Sequence, residues 1–301
     1  MHSHGKRLKN ASLRMGSKTN ITITHPDRIM DAQSGLTKGK LADYYSIVSP
    51  YLLRNLSAHP LTLIRCPEGF GGQIFYQRSV GTGLGPDVIP FKWRHKGRTH
   101  EYLYTETITG LMEMVQMSTV EFHPWGTRHD DMDHPEWAIF DLDPDPAVPF
   151  DALKLAAIDL NQRLERKGLE SFLRCTGGKG LHLVVPLAAK DEWAKVKRWC
   201  ADLAGEMVKE VPDAYVDTMA KAERRGKIFV DFFRNDYTAT AVADFSVRAR
   251  PGAPVAVPLE WGELKSLRAT NQFSIDDVIR RIKKKPPDPE RYHLKQRIPS
   301  L

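Results

Sequence analysis

Trp137-Ala138-Ile139-Phe140-Asp141-Leu142-Asp143-Pro144 decides the fold. The run is apolar up to two aspartates spaced by one residue, and strand side chains alternate between faces with a period of two. Asp141 and Asp143 therefore share one face, their Cα atoms roughly 7 Å apart by twice the strand rise. Carboxylates held this close repel unless something positive joins them. The residues alone leave two readings open. One is a solvated strand end entering a turn, which Pro144, Asp145 and Pro146 suit. The other is a site for divalent cations, such as the pairs about 3.5–4 Å apart that drive phosphoryl or nucleotidyl transfer.

Two further stretches bear on that choice. Phe172-Leu173-Arg174-Cys175 and Leu181-His182-Leu183-Val184-Val185-Pro186 flank Thr176-Gly177-Gly178-Lys179-Gly180, which reads as a hairpin with a glycine-rich turn. It is not a Walker A loop, because Leu173 stands where that motif needs Gly and Gly180 follows Lys179. Its glycines still let backbone N–H groups approach anionic oxygens, and Lys179 and His182 add charge and donors. By itself the stretch is equally a tight turn with a solvated lysine. The second stretch is Lys227-Ile228-Phe229-Val230-Asp231-Phe232-Phe233-Arg234. A carboxylate inside an apolar strand is costly unless paired or metal-bound. An ion pair to Arg234 or Arg248 is one reading of Asp231; a third metal-facing carboxylate beside Asp141 and Asp143 is the reading favoured here.

Together these stretches resemble the polymerase domain of bacterial DNA ligase D, within the archaeo-eukaryotic primase superfamily. The resemblance runs from about Ile21 to about Asn271 and includes His25-Pro26-Asp27-Arg28, Leu36-Thr37-Lys38, Gly71-Gly72-Gln73-Ile74-Phe75, Val120-Glu121-Phe122-His123-Pro124-Trp125 and Phe245-Ser246-Val247-Arg248-Ala249-Arg250. It implies that Asp141, Asp143 and Asp231 are the catalytic, metal-binding carboxylates, Asp231 helping to activate a primer 3′-hydroxyl. It implies triphosphate contacts from His123, Thr176, Gly178, Lys179, His182 and Arg248. His25, Arg28 and Lys38 match a pocket for the 5′-phosphate across a DNA gap, although some relatives carry Asn in place of His25. Phe75 falls where an aromatic stacks near a base, and Arg224 and Arg250 where primer or template is guided. Thr176 replaces the usual Ser, retaining the hydroxyl but adding a methyl group.

The same resemblance implies an α+β, primase-like fold. An RNA-recognition-like catalytic module, mainly an antiparallel sheet backed by helices, would lie beside an N-terminal α/β module. The expected activity is metal-dependent addition of nucleotides to a DNA 3′-end during bacterial nonhomologous end joining, with two Mn2+ or Mg2+ ions. Manganese and ribonucleotides would be favoured. Expected partners are DNA with gaps or ends bearing a 5′-phosphate, nucleoside triphosphates, a Ku-type end binder and a DNA ligase. There is no Lys-x-Asp-Gly ligase signature, so nick sealing is not expected of this chain. A metal-dependent nuclease or phosphoesterase could use the same aspartates but has little need of Lys179 and His182. A noncatalytic end-binding module is the other alternative.

Composition agrees with a polyanionic partner, since the formal net charge is +7. Residues 1–18 lack aromatics and any apolar run, which predicts a flexible basic arm rather than a signal peptide. The domain is expected over 19–275, followed by a basic tail over 276–301 that packs on or trails the domain, in which Arg280-Arg281-Ile282-Lys283-Lys284-Lys285 is solvated. Phe91-Lys92-Trp93-Arg94-His95-Lys96 suits either a nucleic-acid contact or an amphipathic edge strand. Nothing approaches the roughly 18 apolar residues of a membrane span. Cys66, Cys175 and Cys200 are odd in number and scattered, which points to a reducing cytoplasm.

Apolar spacing predicts three helices: about Lys40–Leu56, kinked or ended by Pro50; Phe150–Lys167, stopped by Gly168; and a run holding Trp193, Val196, Cys200, Leu203 and Met207, with Asp191 as N-cap. A zinc site from His123, His129 and His134 with Asp130, Asp131 and Asp133 is disfavoured by the wide spacings.

Overall fold

The structure is a computed structural model that describes residues 21–288, 291 and 294–299. The arm expected at residues 1–18 lies outside the described residues, as do 289, 290, 292, 293, 300 and 301 of the expected tail.

An antiparallel ribbon, β1 (Ile29–Asp31) and β2 (Leu36–Thr37), leads directly into α1 (Lys38–Leu56). The helix starts two residues earlier than its apolar pattern because the Thr37 hydroxyl caps it, accepting from Lys40 N. Leu41, Tyr44, Tyr45, Val48, Leu52 and Leu56 form its buried stripe. Pro50 does not end it. The proline removes the N–H that would reach the Ser46 carbonyl, and the Ser49 hydroxyl donates to that carbonyl instead, at 2.8 Å. Next come β3 (Leu61–Arg65), β4 (Phe75–Gln77), β5 (Ile89–His95), β6 (Arg98–Tyr104), α2 (Ile108–Gln116) and β7 (Thr119–Pro124). Strands order as β4-β3-β7 in one antiparallel sheet, while β5 and β6 form a separate ribbon.

The second half runs β8 (Trp137–Pro144), α3 (Phe150–Arg166), β9 (Phe172–Cys175), β10 (Leu181–Pro186), α4 (Trp193–Glu210), β11 (Tyr215–Val216), β12 (Ile228–Asp231), β13 (Val257–Leu259) and α5 (Ile275–Lys284). Its six-stranded sheet has the order β11-β12-β8-β10-β9-β13, antiparallel throughout except between β11 and β12. This is the α+β arrangement the sequence implies. Period-two alternation sorts the sheet's faces. Ala138, Phe140 and Leu142 pair with Val185, Leu183 and Leu181 and are wholly buried under α3 and α4, with Phe140 meeting Trp199 of α4 edge-on. The other face carries Asp141, Asp143, His182, Arg174 and Asp231, the first three of which line a cleft.

One helix boundary follows its predicted chemistry and another departs from it. Gly168, at φ +77°, ends α3 in the left-handed conformation that a Cβ disfavours. Glu192, not Asp191, is the N-cap of α4, and makes no side-chain cap. Asp191 instead binds Lys195 at 2.6 Å, one helical turn on, and Arg297 at 3.5 Å. The basic run after 279 is partly helical. Through Lys284 it is the end of α5, where Val278 and Ile282 bury one turn apart and Arg281 pairs with Glu263 at 2.7 Å. Its charges occupy the outer face of a packed helix rather than a loose tail.

The halves are joined by buried polar contacts. Tyr45 Oη donates to the Val120 carbonyl and accepts from Val247 N at 3.0 Å. Tyr44 Oη donates to the Phe245 carbonyl at 2.8 Å, and the Ser246 hydroxyl accepts from Phe122 N at 2.9 Å. The three cysteines are all buried with free thiols. Among the described residues no helix is long and apolar enough to cross a membrane.

Candidate active site

Strand pairing assembles the carboxylates. β12 pairs with β8 so that Asp231 lies directly opposite Asp141, and β10 places His182 opposite Asp141 on its other side. The three aspartates thus share one sheet face. A hydrogen-bonded clamp holds β8 there: the Asn235 amide oxygen accepts from Ile139 N at 2.7 Å and its NH2 donates to the Ile139 carbonyl at 2.8 Å. One side chain thereby replaces a strand partner just beyond the end of β12.

Arg234 makes the ion pair that was one of the two readings of Asp231. Its guanidinium reaches Asp231 at 3.2 Å and Asp141 at 3.2 Å, so one cation bridges two of the carboxylates. Arg248 does not join that pair; it binds Glu121 at 2.8 Å. Burial still works against charge on this face. Burial pushes the Asp143 carboxyl up, and the neighbouring Asp141 adds to the rise against Lys179, Arg224 and Arg234. Asp231 is likewise raised, by burial first and by Asp141, with Arg234 opposing. Asp141 alone is lowered: burial would raise it, but His182, Arg234 and Arg248 outweigh burial. His182 Nε2 stands 3.5 Å from Asp141, while its buried Nδ1 has no hydrogen-bond partner among the described residues.

The β9–β10 turn closes over this face because its glycines allow it. A Cβ on Gly180 would meet the Leu142 carbonyl at 2.5 Å and Asp141 Oδ1 at 2.8 Å. Gly177, at φ +66°, is pressed against Arg248 and Val255. Thr270 braces the turn, its hydroxyl donating to the Gly178 carbonyl at 2.6 Å and its carbonyl accepting from Gly177 N at 3.1 Å. The Thr176 hydroxyl donates to the Gly180 carbonyl and accepts from Gly178 N, so the extra methyl leaves the turn intact. A cleft of about 310 Å3 results, lined by His123, Asp141, Asp143, Thr176, Gly178, Lys179, His182, Arg234, Arg248 and Arg250.

Other expected site residues fall elsewhere. Phe75 is 42% exposed on edge strand β4. Arg224 ends a short 3-10 helix, stacks 3.6 Å over the Phe229 ring and donates to the Thr218 carbonyl. His25 and Arg28 lie in a turn before β1, and Arg28 donates to the Pro67 carbonyl. Lys38 is almost wholly buried, its ammonium donating to the Thr24 carbonyl and Gln116 Oε1 at 3.0 Å each. Burial and Arg28 pull that ammonium below the ordinary lysine range. In the β5–β6 ribbon, Trp93 stacks on Tyr237 and meets Trp125 edge-on, so its ring packs inward while Lys92 and Arg94 stay exposed. The three histidines of the zinc reading do not converge: His123 binds Glu121, His129 stacks on Tyr104, and His134 binds Asp131.

Sequence reasoning passed over Glu121, Asn235 and Thr270. The signal for Glu121 was present, a carboxylate in an apolar strand, the same pattern that singled out Asp231. Burial raises Glu121, but His123, Arg248 and the Ala249 N–H bring it down to about 2 from an ordinary 4.5. Such a depression corresponds to on the order of 3 kcal/mol at neutral pH. A depressed carboxylate stabilises the fold above its unfolded pKa and loses that contribution as pH falls toward its folded pKa. The difference in urea-unfolding stability between wild type and Glu121→Gln is therefore expected to narrow as pH drops from about 5 to about 3. A constant difference over that range would contradict the ionised pairing.

The fold, the hairpin and the carboxylate face can now be set against known proteins. Residues 37–289 match the family model described as LigD, primase-polymerase domain. The chain belongs to this family. A LigD relative, the "Multifunctional non-homologous end joining protein LigD" of Pseudomonas aeruginosa, is 33% identical over 92% of this chain and 33% of its own length. The "Multifunctional non-homologous end joining DNA repair protein LigD" of Mycobacterium tuberculosis is 30% identical over 88% of this chain and 36% of its own. The chain thus spans about a third of the length of these curated LigD relatives. A solved structure, "Polymerase Domain from Mycobacterium tuberculosis Ligase D in complex with DNA", superposes with a TM-score of 0.85 at 28% identity, covering 91% of this chain and 98% of that one.

Proposed function

We propose that this chain is a metal-dependent nucleotidyltransferase that adds nucleotides, ribonucleotides preferentially, to a DNA primer 3′-end during nonhomologous end joining. The observation that carries this reading is the strand register that sets Asp231 opposite Asp141, with Asp143 on the same face and Lys179, His182 and Arg248 around the cleft. Support for the biological setting comes from the names of the LigD relatives, and for DNA as substrate from the solved domain bound to it. A Ku-type end binder and a ligase activity are the partners proposed with it.

The carboxylates fit divalent cations by their chemistry. They offer only hard oxygen donors, which suit Mg2+ or Mn2+. Asp143 and Asp231 are raised by burial first and by the neighbouring Asp141, and a cation beside them would favour their charged forms. Among the described residues no three His, Cys, Asp or Glu groups are gathered around one point, and the Arg234 guanidinium lies between Asp141 and Asp231. Holding an ion there requires that guanidinium to give way. When bound, two such ions lower the pKa of a 3′-hydroxyl and steady a leaving pyrophosphate. The protein's own part is positioning and charge. Lys179 and Arg248 neutralise the triphosphate, His182 borders it in the cleft, and Asp231 orients the attacking hydroxyl. Arg28, with Lys38 behind it, holds the downstream 5′-phosphate.

The test is primer extension on a gapped duplex with a downstream 5′-phosphate, in manganese with ribonucleotides. Wild type is expected to extend and Asp141→Ala with Asp143→Ala is not, and removing the 5′-phosphate is expected to weaken extension. Absence of extension with DNA binding intact would favour a noncatalytic end binder. Degradation of the primer would favour a nuclease. Equal extension by the mutant would remove the aspartates from the chemistry.

A further inference from the structure

His123 and Arg248 reach the cleft from distant parts of the chain, and one carboxylate holds both. Glu121 Oε2 accepts from His123 Nε2 at 2.8 Å and from Arg248 Nε at 2.8 Å, while Oε1 accepts from Ala249 N at 2.7 Å. Its side chain is 5% exposed, and Glu121 does not itself line the cleft, whereas His123 and Arg248 do. An ionised carboxylate can only accept, so the hydrogen on His123 must sit on Nε2 and leave Nδ1 as the other ring atom. The Arg248 guanidinium is fixed at a second point, donating through Nη1 to the Thr176 carbonyl at 2.5 Å. One end of Glu121 therefore holds a ring and sets the aim of a guanidinium together.

Cohesion of the fold is not the whole account of this carboxylate. The segments it joins are already tied at neighbouring residues by Tyr45, which bridges Val120 and Val247, and by the bond from Phe122 N to the Ser246 hydroxyl. A second backbone bond, from Ala243 N to the Phe122 carbonyl, adds to them. What Glu121 contributes beyond these is orientation. Period-two alternation places it beside His123 on one face of β7, while Val120 and Phe122 point into the core.

We infer that Glu121 is the positioning residue of the nucleotide site, holding the His123 ring in place and aiming the Arg248 guanidinium at the incoming triphosphate. This rests on the nucleotide-binding reading of the cleft. Glu121→Gln preserves shape but not chemistry. Its NH2 must face either the Ala249 N–H or the donors of Arg248 and His123, so one part of the cluster meets donor against donor.

The experiment is equilibrium binding of a fluorescent ribonucleoside triphosphate in Mn2+, with gapped DNA binding and thermal unfolding measured on the same proteins. Glu121→Gln is expected to weaken triphosphate binding at least about tenfold while DNA affinity stays within about twofold. In an Arg248→Ala background the same substitution is expected to cost no more than about threefold, because one of the groups it aims is gone. Equal triphosphate binding by wild type and Glu121→Gln would overturn the inference alone. An unchanged loss in the Arg248→Ala background, or a parallel loss of DNA affinity, would overturn it in favour of a general structural role. Wild type that binds DNA but no triphosphate would sink the nucleotide reading and this inference with it.

Discussion

Asp143→Asn is expected to cut nucleotide addition by roughly a thousand-fold while leaving the fold at least as stable as wild type. The two effects have one cause. Burial and the nearby Asp141 push the Asp143 carboxyl upward, so the folded protein resists its ionisation. For a carboxyl whose folded pKa is raised, the charged form lowers stability above the unfolded pKa, and the neutral amide removes that cost at pH 7. The same charge is what an ion at this face requires. Melting temperature and primer extension, measured side by side, check the pairing. A lower melting temperature, or activity within tenfold of wild type, would contradict it. A stable, inactive variant is the usual mark of a site kept at some expense to stability.

Arg174→Ala is expected to destabilise the fold by about 3–5 kcal/mol, the cost of leaving one member of a buried ion pair alone. Arg174 and Asp244 are 5% and 2% exposed and meet at 2.5 Å. The same guanidinium donates to the Val242 carbonyl at 2.7 Å and reaches Asn55 of α1 at 3.4 Å. It lies opposite His182 in the β9–β10 register, so it ties the N-terminal half and the 240–248 segment to the floor of the cleft. Urea unfolding measures the loss, and triphosphate affinity should fall with it because Val242 and Arg248 line the cleft. Arg174→Met with Asp244→Leu is expected to recover part of the stability, since removing both charges is cheaper than stranding one. A cost below about 1 kcal/mol for Arg174→Ala would mean that the pair does not hold the segment.

Much of the site was legible as local pattern. Asp141 and Asp143 share a face because a strand repeats every two residues, and Gly177, Gly178 and Gly180 declared a turn because only small residues fit one so tight. Gly168 ended α3 for the same kind of reason. Errors arose where a local rule met a tertiary partner. Pro50 breaks a ladder bond, but α1 continues past it because its buried stripe is packed on both sides of the proline. Asp191 has an N-cap residue's chemistry and is instead drawn to Lys195 and Arg297. The basic residues after Ile279 keep their charges outward, but that they continue a packed helix depends on the burial of Val278 and Ile282.

The sequence by itself determined the strand faces, the glycine turn, the amphipathic helices and, through several motifs in order, the family. Each depends on chemistry within a few residues, or on a pattern that survives without coordinates. Only the tertiary structure decided which charges meet. Nothing in the chain's order says that Asp231 lies opposite Asp141, that Arg234 bridges them, or that Glu121 takes Arg248 from 127 residues away. Such pairings follow from the register of strands distant in sequence. Register is set by the packing of a whole face, and a shift of one residue would turn every side chain to the other side.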